Sequence, residues 1–209
     1  MSSDIRQIVL ATGNHGKLAE FQHLLGAHSI KLLTRKQFGV TEVEETGLTF
    51  VENAILKARA VAAASGLSVI ADDSGLEVDA LNGSPGICSS RYAGENASDV
   101  DNIEKLLKEL QDFPVAERTA RFQCLLVYLR HASDPTPLIC QGTWEGYIIE
   151  EPRGDHGFGY DPVFFVPDMH STAAELTPEQ KNSQSHRAMA MRQLAEKLTT
   201  QKGTPVNSV

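Results

Sequence analysis

The chain is poor in several things, and each shortage excludes something. Its 209 residues include only three cysteines, Cys88, Cys124 and Cys140. An odd number cannot all pair within one chain, and none shows C-x-x-C spacing, so neither a disulfide framework nor a cysteine-rich zinc site fits. The expectation is three buried, reduced thiols in a cytoplasmic protein. No apolar stretch is long enough to span a bilayer. The opening Met-Ser-Ser-Asp is not a basic segment followed by an apolar one, so no signal peptide is expected. Basic residues are in the minority, with 19 Lys and Arg against 27 Asp and Glu and a formal net charge of −8. That field repels a phosphate backbone and argues against nucleic acid as a partner. A polyphosphate ligand would need the few cations gathered in one pocket. There is no internal repeat and no low-complexity stretch.

What is present is enough apolar residue, 41%, to build a substantial core. Strand and helix patterns alternate over the first half, which predicts an α/β sheet. Residues 8–11 read as a buried strand and 18–25 as a helix stopped by Gly26. Residues 30–33 read as a second strand. Thr49 and Glu52 form a capping box ahead of an alanine-rich helix that Gly66 ends. Residues 69–71 then form a strand that finishes at Asp72-Asp73-Ser74-Gly75. Helical spacing returns over 99–110. Two long strands, 121–129 and 138–149, read as a hairpin long enough to reach a second lobe. A glycine-rich loop, 154–162, precedes a strand at 163–166. Thr177 with Pro178, and then Ser185, offer two late helix starts. Residues 1–200 thus read as one large domain or two closely joined lobes, with a long sheet that reaches into the second. Residues 201–209 read as a frayed tail.

The chemistry-bearing residues fall into four groups. Thr12-Gly13-Asn14-His15-Gly16-Lys17 follows the first strand directly, and such a loop brings backbone N–H groups and a point charge to an anion. It is not a Walker loop, because Leu18 stands where Ser or Thr would bind magnesium. Glu44-Glu45 precedes a helix carrying Asn53 and Lys57 on one face, and Asp72-Asp73 follows that helix. Carboxylates, amide and lysine around one crossover suit a metal–phosphate site, and a hard Mg²⁺ ion needs only one or two carboxylates beside phosphate oxygens. The same residues also fit a solvated Glu-Glu loop, an exposed lysine and an Asx turn. Successive strand residues point to opposite faces, so Asp72 and Asp73 are not expected to face one site equally. In Phe158-Gly159-Tyr160-Asp161, Phe158 offers a flat face to a base, or both rings anchor the loop. Lys181, His186 and Arg187 form a late basic group.

Together these segments resemble the inosine triphosphate pyrophosphatase family, the noncanonical purine nucleoside triphosphatases, and within it the bacterial enzymes that hydrolyse dITP and XTP. The matching stretches are Thr12-Gly13-Asn14-x-Gly16-Lys17, Glu45-Thr46-Gly47-x-Thr49-Phe50-x-Glu52-Asn53-Ala54, Lys57-Ala58, Ala71-Asp72-Asp73-Ser74-Gly75-Leu76, Pro85-Gly86, Ser90-Arg91-Tyr92, Gly157-Phe158-Gly159-Tyr160-Asp161-Pro162 and Ser185-His186-Arg187. Their joint occurrence in this order carries the resemblance. Ser90 stands where alanine is frequent and Ala188 where glycine is common; neither change removes a functional group.

The resemblance implies that residues 1–200 form one α/β domain of two lobes, an elongated mixed sheet flanked by helices with a central cleft, in a homodimer that hydrolyses ITP, dITP, XTP and dXTP to monophosphate and pyrophosphate, cleansing the nucleotide pool. It implies that residues 12–17 hold the triphosphate, neutralised by Lys17 and Lys57. It further implies Glu45 and Asp73 as ligands of Mg²⁺, Asp73 as general base, and Ser74 touching substrate. Phe158 would stack on the base, Gly159, Tyr160 and Asp161 would line its pocket, and Lys181, His186 and Arg187 would recognise it. A 6-oxo group can accept from His186 or Arg187, whereas the adenine amino group cannot. Three other readings stay open: a septum-inhibition-type pyrophosphatase acting on other nucleotides, a nucleotide-binding regulator without turnover, and a metal-free sugar-nucleotide binder.

Overall fold

The computed structural model describes residues 6–25 and 30–200. Seven strands form one open mixed sheet in the order β2-β1-β3-β4-β5-β6-β7. Strands β1 (Arg6–Leu10), β2 (Ile30–Thr34) and β3 (Ser68–Val78) make its parallel end. Strands β4 (Thr119–Leu129), β5 (Leu138–Ile148), β6 (Phe164–Val166) and β7 (Ser171–Thr172) continue it antiparallel. Among the described residues five helices flank it: α1 (His15–Leu25), α2 (Phe50–Ser65), α3 (Asp99–Leu110), α4 (Pro178–Gln184) and α5 (His186–Thr200). The α/β expectation of a mixed, helix-flanked sheet is borne out. Gly26 and the tail 201–209 lie outside the described residues.

Alternation along the strands decides which helix packs where. Val9, Ala11, Val69 and Ala71 face α2, whose Ala54, Ala58 and Ala62 allow close approach. Ile8, Leu10 and Ile70 point the other way, toward Phe21 and Leu25 of α1 and Leu194 and Leu198 of α5. Burying a side chain of the size of Phe21 or Leu25 contributes about 1.5–3 kcal/mol. Farther along, Leu76, Val78, Phe122 and Trp144 receive Ile103, Leu106 and Leu110 of α3. The opposite side of that far end is polar, with Gln123 linking Glu77 (3.0 Å) to Thr143 (2.8 Å).

The connections from β1 and β2 place α1 and α2 on opposite faces of the sheet. In open α/β sheets this reversal creates a crevice at the carboxyl ends of the strands involved, here β1 and β3.

Two expectations need correction. The strand predicted to end at Asp72-Asp73-Ser74-Gly75 runs on to Val78, because β4 pairs with it from Val69 to Val78. There is no Asx turn at the two aspartates; they are mid-strand. The first helix begins at His15 instead of residue 18, because the Asn14 side chain accepts from the Lys17 N–H at 3.0 Å and caps it. Gly16 and Lys17 therefore belong to the first helical turn. The caps at Thr49, Thr177 and Ser185 form as predicted. A short 3₁₀ segment, Gly86–Arg91, was not anticipated. It carries Cys88, which is exposed; only Cys124 and Cys140 are buried as expected, and all three are free.

Candidate functional site

One cavity of about 990 Å³ opens where β1 stops. Strand β1 pairs with β3 only through Ile70, and one further bond, Ala11 N–H to the Ile70 carbonyl at 2.9 Å, closes that edge. Beyond it, among the described residues, no strand covers the β1-side edge of β3 at Asp72–Ser74, before the Leu76 N–H meets Ser89 Oγ at 2.9 Å and the Val78 N–H the Ser84 carbonyl at 3.2 Å, so side chains from both faces border the same space. Asp72 and Asp73 do point to opposite faces, as strand geometry requires, yet both line this cavity. The expectation that they would not share one site overlooked the missing neighbour strand.

On the α2 side, Lys57 is the hub. Its Nζ donates to Glu45 Oε1 at 2.8 Å and Asp73 Oδ1 at 2.9 Å. Asn53 donates from Nδ2 to Asp73 Oδ2 at 3.4 Å, and its Oδ1 accepts from the Gly47 N–H at 2.8 Å, which ties down the loop bearing Glu45. Arg91 approaches Glu45 Oε2 at 3.6 Å. Burial pushes the Asp73 carboxyl above its ordinary value, against the pull of Lys57. Burial also works against the Lys57 charge, but Asp73, Asp72 and Glu45 outweigh it and raise the ammonium pKa.

On the other face, Lys17 meets Asp72 Oδ2 at 2.6 Å, and Ser74 donates to the same oxygen at 3.2 Å. Burial opposes ionisation of Asp72, yet Lys17, Lys57 and Arg187 hold it at about 2. The Thr12 hydroxyl accepts from the Asn14 N–H at 3.2 Å. The side chain of His15 lies outside the described residues.

The far end of the cavity is aromatic and cationic. Phe158 is half-buried, with Lys181 Nζ 5.0 Å and Arg187 Cζ 5.4 Å from its ring centre. Asp161 accepts from Lys181 Nζ at 2.5 Å and from the Phe158 N–H at 2.8 Å. Gly157, at φ +81°, leaves room for that carboxylate, since a methyl there would lie 2.0 Å from Asp161 Oδ2. Gly159 donates its N–H to Asp99 at 2.6 Å. His186 lies nearly parallel to Phe122, 4.8 Å between ring centres and 14° apart. Its seat requires Gly142, where any Cβ would strike the His186 carbonyl. Burial, then Arg187 and Lys181, push the His186 pKa well down, so the ring is neutral. Arg187 Nη2 lies 3.3 Å from His186 Nε2. A guanidinium only donates, so Nε2 accepts and Nδ1 carries the hydrogen. That Nδ1, and Arg187 Nε, are buried without a hydrogen-bond partner.

The sequence-predicted residues whose side chains are described converge on one cavity, except Gly16, which does not line it, and with two further qualifications. Glu44 lines it with no partner in the described structure. Tyr160 is buried, and its hydroxyl donates to the Ser89 carbonyl at 2.9 Å, so this ring anchors the loop while Phe158 stays available. Sequence reasoning missed Glu20, which pairs with Arg187 and lies 3.4 Å from Lys181. It also missed Arg35, Arg91 and Asp99. Glu20 lies three residues after Lys17, a spacing that places both on one face of the helix from His15, but the predicted helix over 18–25 left Lys17 out. No local signal marks the others.

Among the described residues no group of three or more His, Cys, Asp or Glu is placed to hold a metal ion. Glu45 and Asp73 are two hard-oxygen donors converging on one nitrogen, which fits a divalent cation completed by phosphate oxygens and water.

The cavity thus joins a central strand bearing lysine-held carboxylates to an aromatic–cationic recess, on an open mixed α/β sheet. The chain belongs to the Ham1 family, which it matches over residues 8–197. It is 60% identical over 191 residues to the dITP/XTP pyrophosphatase of Shewanella oneidensis, covering 91% of this chain and 92% of that one. It is 55% identical over 197 residues to the dITP/XTP pyrophosphatase of Vibrio parahaemolyticus, with 94% and 98% covered. The solved Ham1 protein of Coxiella burnetii superposes with a TM-score of 0.87 at 52% identity, covering 93% of this chain and 99% of that one.

Proposed function

We propose that this chain hydrolyses noncanonical purine nucleoside triphosphates, ITP, dITP, XTP and dXTP, to the monophosphate and pyrophosphate. The observation that carries this is the single cavity with two unlike ends: Asp73, Glu45 and Lys57 at one, Phe158 with buried His186 and Arg187 at the other.

Residues 12–17 and the cations Lys17 and Lys57 receive the triphosphate, with Ser74 beside it. Asp73 accepts a proton from water as the water oxygen attacks the α-phosphorus. The bond from that phosphorus to the bridging oxygen breaks, and its electron pair leaves with pyrophosphate. Burial raises Asp73 toward the basicity a general base needs, and Lys57 keeps it ionised. Glu45 and Asp73 would hold Mg²⁺, which when bound would screen charge on the phosphate oxygens.

At the other end Phe158 stacks on the base, with Gly159, Tyr160 and Asp161 shaping its recess and Lys181 holding Asp161. The His186 Nδ1–H and Arg187 Nε–H are donors in want of an acceptor, and a 6-oxo purine supplies one. Adenine presents an amino donor and leaves them unpaired, a mismatch that costs selectivity of about 10⁴-fold in well-built sites. The two ends of the sheet act as lobes of one domain, 1–200, in a homodimer in the cytoplasm. No helix among the described residues is long and apolar enough to cross a membrane.

The test is pyrophosphate release from ITP, dITP, XTP, ATP, GTP and TTP, with and without Mg²⁺. Metal-dependent turnover of the first three, well above the rest, is expected. Equal rates on all six, or none, would defeat the reading.

A further inference from the structure

Six cationic side chains line the cavity: Lys17, Arg35, Lys57, Arg91, Lys181 and Arg187. Five of them are paired with carboxylates: Lys17 with Asp72, Lys57 with Glu45 and Asp73, Arg91 with Glu45, Lys181 with Asp161, and Arg187 with Glu20. Arg35 is the exception among the described residues. It has no carboxylate within ion-pair distance, and its Nε is buried without a hydrogen-bond partner.

Its position follows from the topology. Arg35 comes directly after β2, the outer strand of the parallel end, and its guanidinium lies against Gly13. A methyl on Gly13 would sit 2.4 Å from Arg35 Nη2 and 3.3 Å from Cζ, so only glycine admits this approach. Phe158 reaches the same segment three residues later, where a methyl on Gly16 would lie 2.6 Å from its Cδ1. The glycine segment is therefore flanked by a ring at its Gly16 end and a guanidinium at its Gly13 end.

We propose that Arg35 binds the terminal phosphate of the polyphosphate, so that this site reads polyphosphate length as well as base. The inference rests on the cavity being a triphosphate site. The other five charges are already partly cancelled by protein carboxylates, whereas Arg35 keeps its full charge for ligand. A planar fork of donors matches phosphate oxygens better than a lysine does. A buried, unpaired N–H is costly, and a phosphate oxygen relieves it. With the base on Phe158, the phosphate farthest from the base falls at the Gly13 end. A monophosphate product does not extend that far, while the pyrophosphate leaving group does. Arg35 thus grips substrate and departing pyrophosphate and leaves the monophosphate free to go.

The experiment compares the full chain with Arg35→Gln, which removes the charge and leaves a shorter polar side chain, and Arg35→Lys, which keeps the charge. Lys36→Ala serves as control, removing an exposed charge one residue on that does not line the cavity. Calorimetric titrations use inorganic tripolyphosphate, pyrophosphate and IMP in the presence of Mg²⁺, and steady-state assays give KM for ITP. Arg35→Gln is expected to weaken tripolyphosphate binding and raise KM for ITP by about tenfold or more, the scale of one charge-assisted hydrogen bond. IMP affinity should change less than about twofold, Arg35→Lys should be intermediate, and Lys36→Ala should match the parent. The proposal fails if Arg35→Gln binds tripolyphosphate like the parent. It fails equally if ITP and IMP weaken by the same factor, because Arg35 then only props the loop. If the parent turns over no nucleotide but loses tripolyphosphate on Arg35→Gln, the activity reading falls and the phosphate contact stands. If ITP turnover is robust and unchanged in the variant, the reverse holds.

Discussion

The two ends of the cavity solve opposite electrostatic problems. At the Lys57 end one ammonium serves two carboxylates, and burial leaves Asp73 more basic than an ordinary aspartate. At the Phe158 end a guanidinium and an ammonium share Glu20 and Asp161 in a dry setting, and the neighbouring imidazole is kept neutral. On the proposed mechanism, the first arrangement makes the proton acceptor more basic. The second supplies fixed donors whose cost of burial is recovered only by a matching ligand. Changes at the first end should therefore act on turnover, and changes at the second on which base is accepted.

The strongest way to break this division is Asp73→Asn. It keeps the shape and removes the proton acceptor, so kcat should fall by about 10³-fold, within the range for losing a general base. Nucleotide affinity by titration should stay within a few fold; near-parent turnover would reject Asp73 as the base. Next in size is Arg187→Ala, which should cut the ITP-to-ATP preference by about 10- to 100-fold. The variant also leaves Glu20 without its partner and lowers Tm, but a ratio of rates does not depend on the fraction folded. An unchanged ratio would remove base recognition from that end.

A pH profile sharpens the comparison further. On the proposed mechanism the base works ionised, so kcat/KM should decline as pH drops through the Asp73 pKa, which burial moves upward. Lys57 pulls this pKa down, so in Lys57→Met the acid limb should shift to still higher pH, whatever the loss in rate. An acid limb left in place would separate Asp73 from the titration. The smallest effects belong to the two caps. Thr49→Ala frees the start of the helix bearing Lys57, and Ser185→Ala that of the helix bearing His186 and Arg187. Each should cost about 1 kcal/mol in thermal or denaturant unfolding. The first should disturb turnover slightly more than base preference, and the second the reverse.

Much of this was legible before any coordinates. The capping boxes at Thr49 and Thr177 are local patterns with local physics, and both helices start where those residues predict. The hairpin of β4 and β5 and the helix over residues 99–110 were equally readable from apolar spacing. The strand through Asp72 and Asp73 was cut short because two adjacent acids read as a turn. What overrides that reading is β4, whose Leu125 and Leu126 pair with Asp73 and Asp72 from about fifty residues away in sequence.

The residues themselves determined the chemistry on offer: a capped glycine segment ending in lysine, paired acids, an aromatic glycine loop and a late basic cluster. Only the tertiary structure decided who meets whom. Neither the Glu20 pairing with Arg187 nor the guanidinium of Arg35 laid on Gly13 follows from any local pattern, because each joins segments brought together by sheet order. The sharing of one cavity by Asp72 and Asp73 is the clearest case. Local geometry sends them to opposite faces, and it is the early end of β1, a fact about a different strand, that opens the edge between them.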